Sequence, residues 1–473
     1  MRITTLDPPP SEHRATVPRP ISEHIRETWR LAMPIIAART AMLTMFIVDT
    51  IMAGWAGAED IAAMGLGIAP LLVLMLVSLG ALQSVVVLTA QSFGAGDVRR
   101  CGAIFRIGVI HALFLGCIVA VLSIWSRQFF LVVGQTPELS ELGARVMQAF
   151  AWGIPGLLAF TATNLYMEAT VRPQAGLFVL LVINMLNVPL NGIFGLGWGG
   201  VVAPGGADGM VAVSSALRWL AFLALLGMLL ADERRRGNPT GLIAPWRVWI
   251  AEAVSLGGEL GRRLRGTGVP MGLAQGIESA AFACIVFVAG TLGTIALAAH
   301  QITMSVVTLV YMTAVGMAGA TAIRVGHAVG AGSRPDILRA GTVGIALGAL
   351  ISLPVGIAIA LAPDRIAGIY TDEPAVLAIT RHTFLVAGIL LAFDAAMGVV
   401  TGALRGAGDV WVPTLAQTAA FWMVGLPVAI WLATSGGLGP VGLMAGIVIG
   451  TLASLGILLP RFGLVVNRPI KPI

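Results

Sequence analysis

Hydrophobic positions in this chain run on rather than alternate. From Trp29 towards the C-terminus, apolar stretches of about 20 residues follow one another, each closed by Gly, Pro or charged residues. A helix of that length crosses a bilayer core of roughly 30 Å. Twelve such spans are predicted, at 29–54, 64–90, 102–125, 143–167, 175–197, 209–231, 266–290, 298–322, 338–361, 380–403, 411–434 and 438–460. An outer-membrane barrel would instead show segments of about ten residues alternating in polarity, and that pattern is absent. The expected fold class is an all-α integral membrane protein with twelve transmembrane helices. Composition agrees: the chain is 57% hydrophobic and 11% charged, with a mean hydropathy of +0.91, against about 25% charged residues in soluble domains.

The net charge of +6 raises nucleic acid as a partner, but the arginines are sorted by membrane side. Arg26 and Arg30 precede or open the first span; Arg99 and Arg100 lie between spans two and three; Arg234, Arg235, Arg236, Arg247, Arg262, Arg263 and Arg265 lie between six and seven. Alternate loops carry few, chiefly Arg127 and Arg365, and hold Glu59, Asp60, Glu138, Asp208, Asp372 and Glu373 instead. The positive-inside rule then places both termini in the cytoplasm, and no nucleic acid is expected. Residues 1–28, rich in Pro, Arg and Glu, read as a disordered cytoplasmic segment without a cleavable signal. Cys101, Cys117 and Cys284 are scattered and odd in number, so neither a disulfide framework nor a metal site is expected.

The loop "QSFGAGDVRRCG" (91–102) has a counterpart in "HAVGAGSRPDIL" (327–338), and aligning Gly94 with Gly330 gives an offset of 236. The same offset carries Pro34 onto Pro270, Gly57 onto Gly293 and Gly80 onto Gly316. Later it drifts to 238, where "NVPL" (187–190) meets "GLPV" (425–428). Six spans per half is an even number, so both halves enter from one side and the repeat is parallel. Such repeats suit a transporter with its substrate site between two bundles. The organisation expected is a lobe at 29–231, a cytoplasmic linker at 232–265, a second lobe at 266–460 and a cytoplasmic tail at 461–473.

Three acids interrupt the apolar runs: Asp49 in span one, Glu278 in span seven and Asp394 in span ten. A carboxylate in hydrocarbon costs about 2.5 to 3.5 kcal/mol on insertion scales and is tolerated where it faces protein or a water-filled path. Burial disfavours the charged form, which lets such a group couple proton movement to another event. The competing reading is structural pairing with a buried arginine, for which Arg39 and Arg218 are the candidates. Arg39 lies ten residues from Asp49, about 15 Å along a helix, so those two do not pair directly.

Asn184 and Asn187 in span five are placed beside Asp49, where amide oxygens and a carboxylate could hold a proton network or Na⁺; interhelical hydrogen bonding is the alternative. Glu168, near the end of span four, reads as interfacial. Met45, Phe282, Met304, Tyr311, Met312, Phe393 and Met397 could supply an adaptable apolar substrate pocket, although packing is the ordinary role of any one of them.

The stretches "VDTIMAG" (48–54), "AQSFGAGD" (90–97), "NVPLNGIFG" (187–195), "AAHQI" (298–302), "VYMTAVGMAGATAIRVGHAVGAG" (310–332) and "GALRGAGD" (402–409) resemble the multidrug and toxic compound extrusion (MATE) family, most closely its bacterial NorM-type branch. The resemblance runs from about residue 29 to 460. It implies a V-shaped pair of six-helix lobes in the bacterial inner membrane, exporting organic, mostly cationic and lipophilic drugs and dyes in exchange for H⁺ or Na⁺ by alternating access. It also implies a monomer that needs no cofactor. Asp49 matches the family's acid in the first helix; Glu278 and Asp394 match its two acids in the C-terminal lobe; Asn184 and Asn187 match polar positions beside the first. Arg39 departs from the pattern, and both Arg39 and Arg218 oppose an acidic cavity. They keep open a flippase for lipids or lipid-linked sugars. An integral membrane enzyme is disfavoured, because no nucleophile, base or metal cluster and no phosphate-binding Gly-Lys motif is visible.

Overall fold

The computed structural model describes residues 20–468, the side chain of Ala58 excepted. Among these residues twelve helical spans are long and apolar enough to cross a membrane, as the apolar runs predict. Most of their ends reach further than those runs, because a helix continues into the interface wherever polar residues can carry it; the fifth stops short at Phe194, the eleventh at Ala433, and the twelfth opens late at Pro440.

By contact between backbones the described chain divides into two compact units, one made of Ala37–Phe93 and Asp97–Gly272, the other of 20–36, Gly94–Gly96 and 273–468. The first unit holds the later part of α1 (Ile21–Ala56), α2 (Ala58–Gly94), α3 (Val98–Leu122), the short α4 (Ser126–Val132), α5 (Pro137–Ala169), α6 (Pro173–Phe194), α7 (Gly206–Arg235), α8 (Trp246–Val254) and the start of α9 (Gly258–Thr291). The second holds the start of α1, the rest of α9, α10 (Thr294–Gly330), α11 (Arg334–Leu361), the short α12 (Pro363–Ala367), α13 (Pro374–Gly406), α14 (Trp411–Ala419), α15 (Leu426–Ala433) and α16 (Pro440–Val466).

Element boundaries carry the repeat. The starts of α2 and α10, Ala58 and Thr294, are 236 apart, and so are their ends, Gly94 and Gly330. α5 and α13 begin 237 apart at Pro137 and Pro374. The units divide at 36/37 and again at 272/273, positions separated by the same 236. In the second unit the start of α1 lies on α10: a Cβ added to Gly316 would come within 2.4 Å of Ile36. Arg324 fastens the first turns there, donating to the His24 carbonyl (2.5 Å), Thr28 Oγ1 (2.7 Å) and Glu27 Oε2 (2.8 Å). In the first unit the start of α9 lies on α2, where a Cβ on Gly268 would meet the Ala81 carbonyl at 2.4 Å.

Three segment expectations change. Residues 21–28, expected as disordered, open α1 as helix, because His24 and Thr28 are buried and bonded by Arg324; residues 1–19 lie outside the described residues. The 232–265 stretch is not a plain linker: it contains the last turn of α7, all of α8 and two turns of α9. The expected tail begins as helix through Val466, while 469–473 lie outside the described residues. In the eleventh span a π-helical turn, Ala420–Gly425, separates α14 from α15, next to Pro427, which has no N–H to give the helix.

Candidate functional site

Seven residues before the end of α1, Asp49 is 5% exposed. Its carboxylate is filled by donors from two other helices: Asn187 Nδ2 and Asn191 Nδ2 of α6 donate to Oδ1 at 3.0 and 2.7 Å, and Ser214 Oγ of α7 donates to Oδ2 at 2.7 Å. Asn187 also donates to Ser214 Oγ at 3.0 Å. The Oδ1 atoms of Asn187 and Asn191 are buried without a hydrogen-bond partner. One turn beyond Ser214 on α7, Arg218 is the charged neighbour of Asp49. Its guanidinium lies 4.0 Å over the Phe150 ring, with Nη1 buried and unpartnered.

Asn187 therefore stands where the sequence places it, and Asn184 does not. Its amide donates to the carbonyls of Ala41 (3.1 Å) and Leu180 (2.8 Å), tying α6 to α1 at a position eight residues before Asp49. Asn191 and Ser214 are the partners that sequence reasoning missed. Asn191 had a signal, since it follows Asn187 by four residues and so shares its helix face. Ser214 had none.

Arg39 pairs with Glu168 of α5, Nη2 lying 3.1 and 3.3 Å from the two carboxylate oxygens. Asn164 Nδ2 donates to the same carboxylate at 2.6 Å. Glu168 is 1% exposed, a buried counter-ion to Arg39. Its burial comes from α5 packing on α3 and α7, which leaves every residue from Gly153 to Ala169 buried.

Glu278 of α9 and Asp394 of α13 are half-buried in the second unit and are electrostatic neighbours. Tyr311 of α10 lies in the field of both, and Arg405 of α13 in that of Glu278. Among the described residues neither carboxyl forms an ion pair, and Arg405, its Nε buried, forms none either. Arg405 went unread in the sequence because the apolar run stops at 403 while α13 continues to Gly406.

The apolar candidates divide. Met45 (9% exposed) and Met397 (1%) are core residues of their units rather than pocket walls, and Met304 packs against the core of the second. Phe282 stacks on Phe421 with centroids 6.0 Å apart, Tyr311 and Met312 are half-buried, and Phe393 is 38% exposed. A separate cavity of about 520 Å³ opens in the first unit between Trp55, Glu59, Asp60, Arg145 and Asp208. Two of its acids have structural duties: Asp60 accepts from Ala207 N at 2.6 Å at the start of α7, and Asp208 lies 3.5 Å from Arg145.

The MatE family model matches residues 34–193 and 270–431, two segments that begin 236 residues apart, as the repeat does. A protein of Bradyrhizobium diazoefficiens described as a probable multidrug resistance protein NorM is 30% identical over 458 residues, 95% of this chain and 95% of its own. One of Caulobacter vibrioides with the same description is 29% identical over 468 residues, 98% of this chain and 97% of its own. The solved structure of a MOP superfamily transporter from Pyrococcus furiosus shares the fold, with a TM-score of 0.84 at 19% identity over 95% of this chain and 97% of that one.

Proposed function

The chain belongs to the MatE family, whose members are secondary transporters and not enzymes, and from that premise we propose that it exports organic, mainly cationic and lipophilic compounds from the cytoplasm in exchange for H⁺. It does so as a monomer of the inner membrane with both termini cytoplasmic.

The observation that carries this reading is the state of the three acids. Asp49, Glu278 and Asp394 lie in membrane-spanning helices without an ion-pair partner among the described residues, whereas Arg39 and Glu168, also on such helices, satisfy each other. Charges left unpaired there are free to bind something that comes and goes. In the second unit Glu278, Asp394 and Arg405 sum to one negative charge with both carboxyls ionised. Adding a proton removes it. A drug cation about 6 Å from that charge gains about 3 kcal/mol at an effective dielectric constant of 20, so protonation weakens its hold roughly a hundredfold. In the first unit Asp49 and Arg218 sum to zero, and a proton makes the site positive. Drug retention thus belongs to the second unit, and the first supplies a coupling step.

A proton suits these centres better than Na⁺. Asp49 faces only N–H and O–H donors, and a guanidinium stands near each centre. The flippase reading loses support, since Arg39, one of its two cationic candidates, is consumed by Glu168.

The test uses the purified protein in liposomes or everted vesicles, with a fluorescent cationic dye as substrate. An imposed pH gradient drives dye uptake and a Na⁺ gradient of equal size does not. Asp49→Asn, Glu278→Gln and Asp394→Asn each reduce pH-driven uptake at least tenfold while the protein remains folded. Wild-type rates in all three variants would overturn the coupling role, and uptake driven by Na⁺ alone would overturn the choice of ion.

A further inference from the structure

α8 has two unlike faces. At 100° per residue, Trp246, Ile250 and Val254 form one stripe, and they are 67%, 53% and 82% exposed. Ala253 on the same side is exposed as well, and so is Ala251 at its edge. The opposite face carries Glu252, which Arg106 of α3 grips with Nε at 2.9 Å and Nη2 at 2.7 Å. Leu256, just past the helix, extends the apolar surface at 43% exposure.

The segment is held in place. Arg106 Nη1 also donates to the Gly241 carbonyl at 2.6 Å, and a Cβ on Gly102 would lie 2.2 Å from the Thr240 carbonyl. Arg265 donates to the Leu256 carbonyl at 2.7 Å and lies 2.9 Å from His111 Nε2. Arg106 is eight residues, about 12 Å, inside α3 from Val98, and both α7 and α9, which flank α8, are membrane spans. α8 is therefore fixed against α3, a spanning helix.

Charge completes the pattern. Arg234, Arg235, Arg247 and Arg262 are exposed. The acids around them are taken: Asp232 by Arg172 and Arg236, Glu252 by Arg106, Glu259 by Arg263. Arg247 lies 5.6 Å from the Trp246 ring centroid, an aromatic and a cation side by side as at membrane interfaces.

We propose that α8 is an interfacial anchor, its Trp246–Ile250–Val254 stripe sunk in the cytoplasmic leaflet and its four free arginines on anionic phospholipid headgroups. An amphipathic helix with an apolar face and a basic rim binds such a surface in this way, and each arginine near it adds roughly 1 kcal/mol. The leaflet named rests on the orientation proposed above; the membrane contact itself does not.

The experiment places a spin label at Ile250→Cys or Val254→Cys in full-length protein whose Cys101, Cys117 and Cys284 are replaced by Ser, reconstituted in phosphatidylcholine vesicles with and without 30% phosphatidylglycerol. Relaxation by O₂ and not by a water-soluble nickel chelate is expected at both positions. A label at Pro239→Cys, an exposed residue before α8, reads the opposite. Greater relaxation by the nickel chelate at 250 and 254 would overturn the anchor, and protection from both reagents would overturn it in favour of a protein partner. Native mass spectrometry checks the charge: Arg247→Gln and Arg262→Gln each lower retained phosphatidylglycerol relative to phosphatidylcholine by about fivefold, and an unchanged ratio would remove the anionic lipid from the proposal. A membrane-impermeant thiol reagent on Pro239→Cys in sealed vesicles reports the leaflet separately, so a wrong orientation and a wrong anchor give different results.

Discussion

An arginine at membrane depth is tolerable with a partner, and Arg39 has one. Glu168 in turn is held by Asn164, whose Oδ1 occupies the space over Gly176, 1.7 Å from where a Cβ would be. Glycine at 176 is thus what lets α6 approach the pair closely. Removing one member strands the other: Glu168→Ala is expected to lower stability by about 3 to 5 kcal/mol, seen as a large fall in the melting temperature of the detergent-solubilised protein. Arg39→Met combined with Glu168→Met restores most of it, because two well-packed apolar chains do without the cost of burying two charges. If the double variant melts as low as the single, the pair does more than neutralise itself. The three acids were legible as residues out of place in hydrocarbon, but their partners were not. Pairing across helices, as between Asp49 and Ser214, 165 residues apart, depends on helix rotation and tilt, which an apolar run leaves open.

Helices in this chain cross where side chains vanish. Gly356 of α11 and Gly388 of α13 face each other so closely that a Cβ on either would lie 2.3 or 2.5 Å from the other's carbonyl oxygen. Small residues permit such contact between spanning helices, where packing, not hydrophobicity, drives association. Gly356→Leu is expected to force α11 from α13, the helix that carries Asp394, and to cost at least 1 to 3 kcal/mol. A thermal melt within a degree of wild type would show that the crossing is not rigid. The spans themselves were readable because twenty apolar residues have one stable form in a bilayer. α8 was not: its nine residues are too short for a span, and along the sequence its apolar residues are broken up by Arg247 and Glu252. The early start of α1 was hidden for the complementary reason, that its polar residues are satisfied by Arg324, far off in sequence.

Each unit borrows the opening of a first helix: 21–36 belongs with 273–468, and Gly258–Gly272 belongs with 37–93 and 97–257. Cutting the chain after the exposed Pro239 would leave either fragment short of a piece of its own unit. Fragments 1–239 and 240–473 are expected to be degraded when expressed singly and to co-purify when expressed together. Stable accumulation of either alone would show that the borrowed turns are dispensable. The 236-residue offset was legible in the sequence, but the division at 36/37 was not, since nothing in "RLAMPIIAAR" marks a change of company at Ile36.

That exchange also bears on descent. A six-helix ancestor built this way would have traded the same opening turns with an identical twin, which is the geometry of a domain-swapped homodimer. Duplication and fusion would then have left the trade in place, made permanent by a covalent join, and freed the two copies to diverge: one holds Asp49 with two amides and a hydroxyl, the other sets two carboxyls in the field of a tyrosine.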